Sequence, residues 1–309
     1  MDLLYTLEGM RTPFLDQFFS LITHFGSETL FLAIALIVFW CVSKKNGYYL
    51  MTVGFFGTIL NQFLKLLCRI PRPWIKDPNF TIVESARAGA DGYSFPSGHT
   101  ANAVSVLGCP VRFSKNWVVR IACIALILLT GFSRMYLGVH TPMDVGVSLA
   151  IGAVLVFAIY PLFEKSEEKP GRMYAVMAVL ALCSLAYVLY VECTEWPADV
   201  DAHNLESGMK NGYLILGASL GMLVSCFLEK KYINFDVQAK WWQQILKVVL
   251  GLGLIMGVKA GLKPVFKMIW DHHILTTGLR YFLIVLFAAC VWPRTFKWFA
   301  KGCPFSRRK

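Results

Sequence analysis

Long runs of apolar residues constrain this chain more than any other feature of its sequence. A helix that crosses a bilayer needs roughly 17 to 25 predominantly apolar residues, and 56% of the 309 residues are hydrophobic. The sequence therefore predicts an all-α polytopic integral membrane protein, a helical bundle with about nine spans. The apolar runs cover residues 27–43, 48–67, 98–113, 118–136, 142–163, 172–191, 211–228, 245–262 and 277–293.

Three consecutive segments are predicted along the chain. Residues 1–26 carry Glu8, Arg11 and Asp16 among apolar residues, which predicts an amphipathic helix lying in the membrane interface. Residues 27–191 are predicted to form a bundle of spans. Residues 192–309 are predicted to add further spans and to end in a basic tail.

Membrane topology accounts for the formal net charge of +11. If the second apolar run passes outward, Lys and Arg collect in the loops of one side, and the loop 191–208 on the other side is acidic. Positively charged loops stay in the cytoplasm. We therefore expect an outer N-terminus and a cytoplasmic C-terminus in a bacterial cell membrane, and no nucleic-acid partner.

The nine cysteines show no metal-binding pattern, since no Cys-x-x-Cys pair and no zinc-type spacing with histidine occurs. Most of them lie inside apolar runs, where cysteine behaves as a small hydrophobic residue. Cys68 and Cys193 are both expected on the outer side, where they can pair or stay free.

Polar side chains form three groups along the chain, and each group lies where apolar runs end at the outer side of the predicted membrane. A charge at the edge of a membrane helix is costly and calls for a reason. Because the three groups share one side, we expect them to form one site at the outer ends of the helices. In chain order they contain Lys65 and Arg72, then Ser97, Gly98 and His99, then Arg134, His140 and Asp144.

These residue types favour phosphate chemistry. Arg supplies a bidentate fork and Lys a compact charge for a dianion, and N–H groups of Ser97 and Gly98 at a helix start can add an anion cradle. His140 and Asp144 lie four residues apart, so the carboxylate can orient one ring nitrogen and leave the other to attack. His99 can protonate the leaving oxygen as a general acid. The expected ligand is a phosphate monoester, and no metal is required.

Three motifs carry a resemblance to a known family. The chain resembles the type 2 phosphatidic acid phosphatase superfamily, whose signatures are Lys-x6-Arg-Pro, Pro-Ser-Gly-His and Ser-Arg-x5-His-x3-Asp. They are matched in order by Lys65 with Arg72-Pro73, by Pro96-Ser97-Gly98-His99, and by Ser133-Arg134 with His140 and Asp144. The motif-bearing part covers about residues 48–165.

The resemblance implies the roles of the site residues. It implies that His140 is the nucleophile, that Asp144 is its partner and that His99 is the general acid. It also implies a reaction without metal or cofactor, and the nine-span layout is similar to that of the glucose-6-phosphatase and sphingosine-phosphate phosphatase branches. Phosphate binding is implied for Lys65, Arg72, Ser97, Gly98 and Arg134.

The same residues also have purely structural interpretations. Residues 141–144, Thr-Pro-Met-Asp, are a good helix start with a capping box. Ser97 can be a plain N-cap, and Lys65 can be a side chain that reaches from a helix end to the interface. Because these interpretations require many coincidences in register, we favour the functional one. His203, His272 and His273 are predicted to be surface residues.

The function predicted from the sequence is hydrolysis of a phosphatidate-like lipid phosphate monoester through a phosphohistidine. The substrate is expected to reach the site sideways from the bilayer, at the outer face. A polyprenyl diphosphate and a sugar phosphate are alternatives with the same chemistry. A lipid transporter or an inactive lipid-binding protein is an alternative of another class, although a transporter is expected to place its charges near mid-membrane.

Overall fold

The computed structural model of the chain describes residues 1–166, 169–269 and 274–300, and these residues form helices and loops without a strand. The all-α class predicted from the sequence is therefore confirmed. His272, His273 and the tail beyond residue 300 lie outside the described residues.

Helices follow one another along the described chain, and the longest connection, residues 77–97, joins α5 to α6. They are α1 (Asp2–Gly9), α2 (Pro13–Ile22), α3 (Glu28–Ile37), α4 (Lys44–Cys68), α5 (Pro73–Lys76), α6 (Gly98–Ala103), α7 (Cys109–Phe113), α8 (Trp117–Tyr136), α9 (Pro142–Glu164), α10 (Pro170–Cys193), α11 (Ala202–Leu228), α12 (Trp241–Ile269), α13 (Leu275–Leu286), α14 (Trp292–Arg294) and α15 (Phe296–Ala300). Tighter turns cover Thr23–Gly26 and Glu84–Gly89, and wider turns cover Val38–Val42, Val104–Gly108, Glu229–Ile233 and Phe287–Val291.

Local sequence signals start several of these helices. The Thr12 side chain accepts a hydrogen bond from the N–H of Leu15, and Pro13 stands at the first position of α2. Asn116 caps α8 in the same way through the N–H of Val118. A side-chain acceptor satisfies an N–H that has no partner inside the helix, and proline has no N–H to satisfy.

Within the described residues, seven helical segments are long and apolar enough to cross a membrane, and an eighth candidate is a pair, Pro13–Gly26 with Glu28–Val42, bent by 51°. The predicted number of about nine spans is therefore approximate. The run 27–43 is half of the bent pair, and the run 98–113 is a short helical segment that contains the wide turn at Val104–Gly108. At 1.5 Å per residue the second of these runs extends only about 24 Å, short of the ~30 Å hydrocarbon core.

Two compact units divide the chain. The first contains Met1–Leu32, Val53–Pro161 and Thr194–Gly208, and the second contains Ala33–Thr52, Leu162–Cys193 and the described residues from Met209 onward. The units interleave along the sequence, whereas the segments predicted from the sequence are consecutive. Every predicted site residue lies in the first unit.

The N-terminal segment of the first unit consists of two short helices and a turn, where the sequence predicts a single amphipathic helix over residues 1–26. It packs on the loops that follow α5 and α8. Arg11 donates from Nη1 to the carbonyl of Thr81 over 3.0 Å and from Nε to that of Tyr136 over 3.2 Å. The hydroxyl of Tyr136 donates to Asp16 over 2.8 Å. These contacts connect residues 1–26 to the region of the site, and their place in the membrane interface stays a prediction.

The second unit has a core of aromatic and paired charged residues. The indole N–H of Trp40 donates to the carbonyl of Ala288 over 2.9 Å. Lys44 pairs with the buried Glu229 over 2.8 Å. Because an isolated buried carboxylate is costly, this ion pair compensates the burial of Glu229.

Candidate active site

The loops at the ends of α4, α8 and α9 and the start of α6 bring the three motif groups together. Arg72 contacts His140, His140 contacts Asp144, and the backbone of Ser97 contacts the backbone of Asp144. His99 and Gly98 are half-buried, and the other predicted site residues are buried: Lys65, Arg72, Ser97, Arg134, His140 and Asp144.

His140 and Asp144 form a buried pair at the start of α9. Nδ1 of His140 lies 3.3 Å from Oδ2 of Asp144, and the two side chains are 2% and 0% exposed. The carboxylate also accepts from the N–H of Thr141 over 2.8 Å, and the Thr141 hydroxyl accepts from the N–H of Asp144 over 3.3 Å. The capping box expected from residues 141–144 is therefore present, and it holds the carboxylate beneath the imidazole.

Arg72 determines which nitrogen of His140 carries the proton. Nη1 of Arg72 lies 3.1 Å from Nε2 of His140. A guanidinium can only donate, so Nε2 presents its lone pair and the ring proton sits on Nδ1, facing Asp144. This tautomer leaves Nε2 as the nucleophilic nitrogen.

The environment of His140 keeps its ring neutral. Burial lowers the pKa of His140 well below its usual range, and the nearby charges of Arg72, Arg134 and Lys65 lower it further. The backbone of Ser94 acts in the opposite direction and raises the pKa of His140. A neutral imidazole is the form that can attack an electrophile.

Carbonyl groups of residues 91 and 92 hold two of the cations. Lys65 donates from Nζ to the carbonyl of Asp91 over 3.0 Å, and Arg72 donates from Nη2 to the same oxygen over 2.7 Å. Nε of Arg72 donates to the carbonyl of Gly92 over 3.0 Å. Gly92 has a φ of +73°, and a Cβ there would lie 3.2 Å from Nζ of Lys65. Glycine therefore allows the loop to come close to the lysine.

The start of α6 is built differently from the expected anion cradle. The N–H of Ser97 donates to the carbonyl of Asp144 over 3.2 Å, so it is not available to an anion. The Ser97 hydroxyl accepts from the N–H and the hydroxyl of Thr100, as an N-cap does. Gly98 is the first residue of the helix, where an N–H has no acceptor inside the helix. Ser97 thus connects α6 to α9, and Gly98 keeps the expected donor.

Arg134 has donors that nothing in the described structure satisfies. Its Nη1 donates to the hydroxyl of Thr23 over 2.7 Å, while Nε and Nη2 are buried without a hydrogen-bond partner. Buried unpaired donors are rare because each costs about 1–3 kcal/mol, more for a charged group. An anion that accepts from Nε and Nη2 would remove this cost.

His99 lies in the same group of charges. Arg134, His140 and Arg72 are its main electrostatic neighbours. A Cβ on Gly89 would lie 3.4 Å from Cε1 of the His99 ring, so the turn at Glu84–Gly89 covers the imidazole closely. His99 thus lies near the His140 pair.

Sequence reasoning missed three contributors to the site. Ser94 donates to Oδ2 of Asp144 over 2.6 Å, Thr23 accepts from Arg134, and the backbone of Asp91 holds two cations. Ser94 and Asp91 lie within the loop before the second motif, and Thr23 lies in the N-terminal segment. None of them shows a pattern that points to this role.

A cavity of about 440 Å³ lies beside Arg72. Its lining combines cations, carboxylates and apolar groups, namely Cys68, Arg69, Pro71, Arg72, Ile75, Tyr93, Asp199, Asp201 and Asn204. The loop 194–208 that forms one wall is fastened to Asp91, because His203 and Ser207 lie 3.0 Å and 2.9 Å from its carboxylate oxygens. His203 is exposed as predicted, but it has a partner that the sequence did not indicate.

Cys68 and Cys193 are both free and exposed. The first of them lines the cavity.

The site combines a His–Asp pair, a second histidine and three buried cations in a helical membrane protein. This combination is typical of the class of proteins that bind a phosphate group. Comparison with known proteins identifies the family. Residues 46–168 match the PAP2 superfamily, and residues 213–303 match the transmembrane extension of PAP2 superfamily phosphatases. The chain belongs to the PAP2 superfamily, as the resemblance of its three motifs implies.

Relatives of the chain carry names of lipid phosphatases. It is 26% identical over 249 residues to a probable sphingosine-1-phosphate phosphatase of Dictyostelium discoideum, which covers 75% of this chain and 58% of that protein. It is 30% identical over 132 residues to the undecaprenyl-diphosphatase BcrC of Bacillus subtilis, covering 41% of this chain and 65% of that protein. It is 30% identical over 176 residues to phosphatidylglycerophosphatase B of Bacillus subtilis, covering 52% and 80%. The chain thus spans less than two thirds of the first two relatives, and no solved structure matches it.

Proposed function

We propose that the protein is a membrane phosphatase that hydrolyses a lipid phosphate monoester through a phosphohistidine intermediate. The observation that carries the proposal is the arrangement around His140, whose Nδ1 faces Asp144 while Nε2 faces Arg72. A neutral, oriented imidazole surrounded by cations is suited to attack phosphorus and to little else.

In the first step the phosphate group binds among Lys65, Arg72 and Arg134, which neutralise the charge on its oxygens. Nε2 of His140 attacks phosphorus, the N–P bond forms, and the P–O bond to the alcohol breaks with its electron pair on oxygen. The negative charge of the bound phosphate favours the protonated form of His99, and His99 gives its proton to that oxygen, so the alcohol leaves neutral. Asp144 stabilises the positive charge that develops on the ring.

In the second step water resolves the phosphohistidine. His99, now neutral, takes a proton from the water as the oxygen attacks phosphorus. The N–P bond breaks, its electrons return to Nε2, and inorganic phosphate is released. The enzyme ends in its starting protonation state.

The substrate class rests on the membrane setting and the cavity beside Arg72. A cavity of about 440 Å³ is within the size of small-molecule sites, and it can take the polar part of a phosphorylated lipid. The relatives named above are phosphatases of sphingosine 1-phosphate, undecaprenyl diphosphate and phosphatidylglycerophosphate. We propose that a lipid phosphate enters from the outer leaflet, with its chains left in the bilayer.

A polyprenyl diphosphate is the second candidate substrate, and the position of Arg69 in the cavity lining favours it. Arg69 lines the cavity beside Arg72 and has no ion-pair partner within the described parts of the chain. A second cation at the mouth of the site can hold a second phosphate. Arg69→Gln is expected to lower activity on a diphosphate more than on a monoester.

Phosphate release by the purified full-length protein tests the proposal. The substrates are phosphatidate, lysophosphatidate, phosphatidylglycerol phosphate, sphingosine 1-phosphate, undecaprenyl diphosphate and glucose 6-phosphate, each in the presence of EDTA. We expect release from at least one lipid substrate and loss of release in His140→Ala, while Lys263→Ala, a change at an exposed residue of the second unit, keeps wild-type rates. Wild-type activity in His140→Ala would exclude the phosphohistidine.

Membrane orientation is tested with the native cysteines. A thiol reagent that does not cross membranes is expected to label the exposed Cys193 in intact cells, and Cys193→Ser identifies the labelled residue. Labelling that requires membrane permeabilisation would place the loop 194–208, and the site with it, on the cytoplasmic side.

A further inference from the structure

The N-terminal segment enters the active site although it lies outside the residues that match the family. The match begins at residue 46, whereas Thr23 lies in the turn after α2. Thr23 is 8% exposed, and its hydroxyl oxygen accepts from Nη1 of Arg134 over 2.7 Å. A residue 111 positions away in sequence therefore contacts a phosphate-binding cation directly.

This contact determines which edge of the guanidinium stays available. With Nη1 donating to Thr23, the unpartnered donors of Arg134 are Nε and Nη2, both buried. These two groups form one edge of the guanidinium plane, and two parallel N–H groups on one edge match two oxygens of a phosphate. Thr23 thus leaves the bidentate edge of Arg134 for the ligand.

Thr23 is itself held in place from both sides. Arg11 fastens the preceding helices to the carbonyl of Tyr136, two residues after Arg134. On the other side, Asn102 donates from Nδ2 to the carbonyl of Gly26 over 3.1 Å. Gly26 packs against the backbone of His99 so closely that a Cβ there would overlap the His99 carbonyl. The turn that carries Thr23 is therefore anchored to the same helices that carry Arg134 and His99.

We propose that Thr23 is a positioning residue for phosphate binding, and that the N-terminal segment is thereby a part of the active site. Thr23 does not touch the phosphate, but it holds Arg134 with the Nε and Nη2 edge facing the ligand. The proposal rests on the proposed function in that the ligand is the phosphate group of the substrate.

Binding of inorganic phosphate to the full-length protein tests this role without any turnover. The variant is Thr23→Val, which has nearly the same shape but no acceptor. The matched control is Thr58→Val, since the Thr58 hydroxyl donates only to the carbonyl of Gly54 in its own helix. Loss of one hydrogen bond to a charged group is expected to weaken phosphate binding roughly tenfold in Thr23→Val. Thr23→Ser is expected to restore it, and Thr58→Val to bind as the wild type does.

A double-mutant cycle separates positioning from general destabilisation. If Thr23 acts through Arg134, Thr23→Val weakens phosphate binding in the wild-type background and has no further effect in Arg134→Lys. Equal effects in both backgrounds, or wild-type phosphate binding by Thr23→Val, would overturn the proposal. If Thr23→Val does not fold, Thr23→Ala removes the acceptor without placing a methyl group against Arg134. Equal effects of Thr23→Ala in both backgrounds, or wild-type phosphate binding by Thr23→Ala, would then overturn the proposal.

Activity measurements give a second readout and keep this proposal distinct from the proposed function. Thr23→Val is expected to raise KM roughly tenfold with little change in kcat, because binding is lost before the chemical step. If the protein binds phosphate but releases none from any lipid, the proposed function is wrong. The role of Thr23 can still be measured by phosphate binding in that case.

Discussion

Ser94→Ala removes the shortest hydrogen bond to the carboxylate that orients His140. Oδ2 of Asp144 accepts from Ser94 over 2.6 Å, from the N–H of Thr141 over 2.8 Å and from Nδ1 of His140 at 3.3 Å. Ser94 is fully buried, so water does not replace its hydroxyl without rearrangement. The variant leaves the carboxylate with two of its three donors, and the carboxylate is then free to turn away from the ring.

The expected magnitude follows from these contacts. A hydrogen bond to a charged group contributes about 1.5–3 kcal/mol, and each 1.36 kcal/mol in the barrier is a factor of ten in rate. If the whole contribution is felt in the transition state, kcat falls by about 10- to 150-fold. KM is expected to change little, because Ser94 contacts the carboxylate and not the phosphate-binding cations.

Initial rates of the purified variant across substrate concentration provide the assay. The matched control is Ser105→Ala, because Ser105 is equally buried and donates only to the carbonyl of Ala101 in the same turn of helix. A kcat for Ser94→Ala within about twofold of the control would refute the reasoning. So would a large rise in KM at unchanged kcat, since that result would assign Ser94 to phosphate binding.

Two further predictions concern protonation and backbone conformation. Burial and neighbouring cations lower the pKa of His140 below 6.5, so the ring is expected to stay neutral down to mildly acidic pH. A histidine titration by NMR, with the His140 signal assigned by its loss in His140→Asn, is expected to show a midpoint below 6.5. A midpoint at or above 6.5 would contradict the proposed environment of His140. Gly138→Ala is expected to lower the free energy of unfolding by about 1–3 kcal/mol, because Gly138 has a φ of +82° and a Cβ there would lie 2.7 Å from Nη2 of Arg11. Thermal unfolding measures this loss, and Gly253→Ala, where a Cβ meets nothing within 4 Å, is expected to unfold as the wild type does.

Much of the fold was predictable because it is encoded locally. Apolar runs predict membrane helices wherever they are long enough, and turn and cap residues such as Thr12-Pro13 or residues 141–144 act within one helical turn. The span count was less predictable, because the helical segment over 98–113 is short for a bilayer and the eighth candidate is a pair of helical segments bent by 51°. Composition alone does not show such a bend.

The sequence by itself determined that this is a helical membrane protein with Lys65, Arg72, His99, Arg134, His140 and Asp144 in motifs of a phosphatase family, because spacing within a helix or short loop is readable from one chain. Only the tertiary structure decided what completes the site. Thr23 lies 111 residues from Arg134, and Ser94 lies 50 residues from Asp144. Contacts across such separations depend on how helices pack, and a lone Thr or Ser carries no pattern that reveals its partner. For the same reason, the occupation of the Ser97 N–H by Asp144 and the free edge of Arg134 became visible only once α6, α8 and α9 had been brought together.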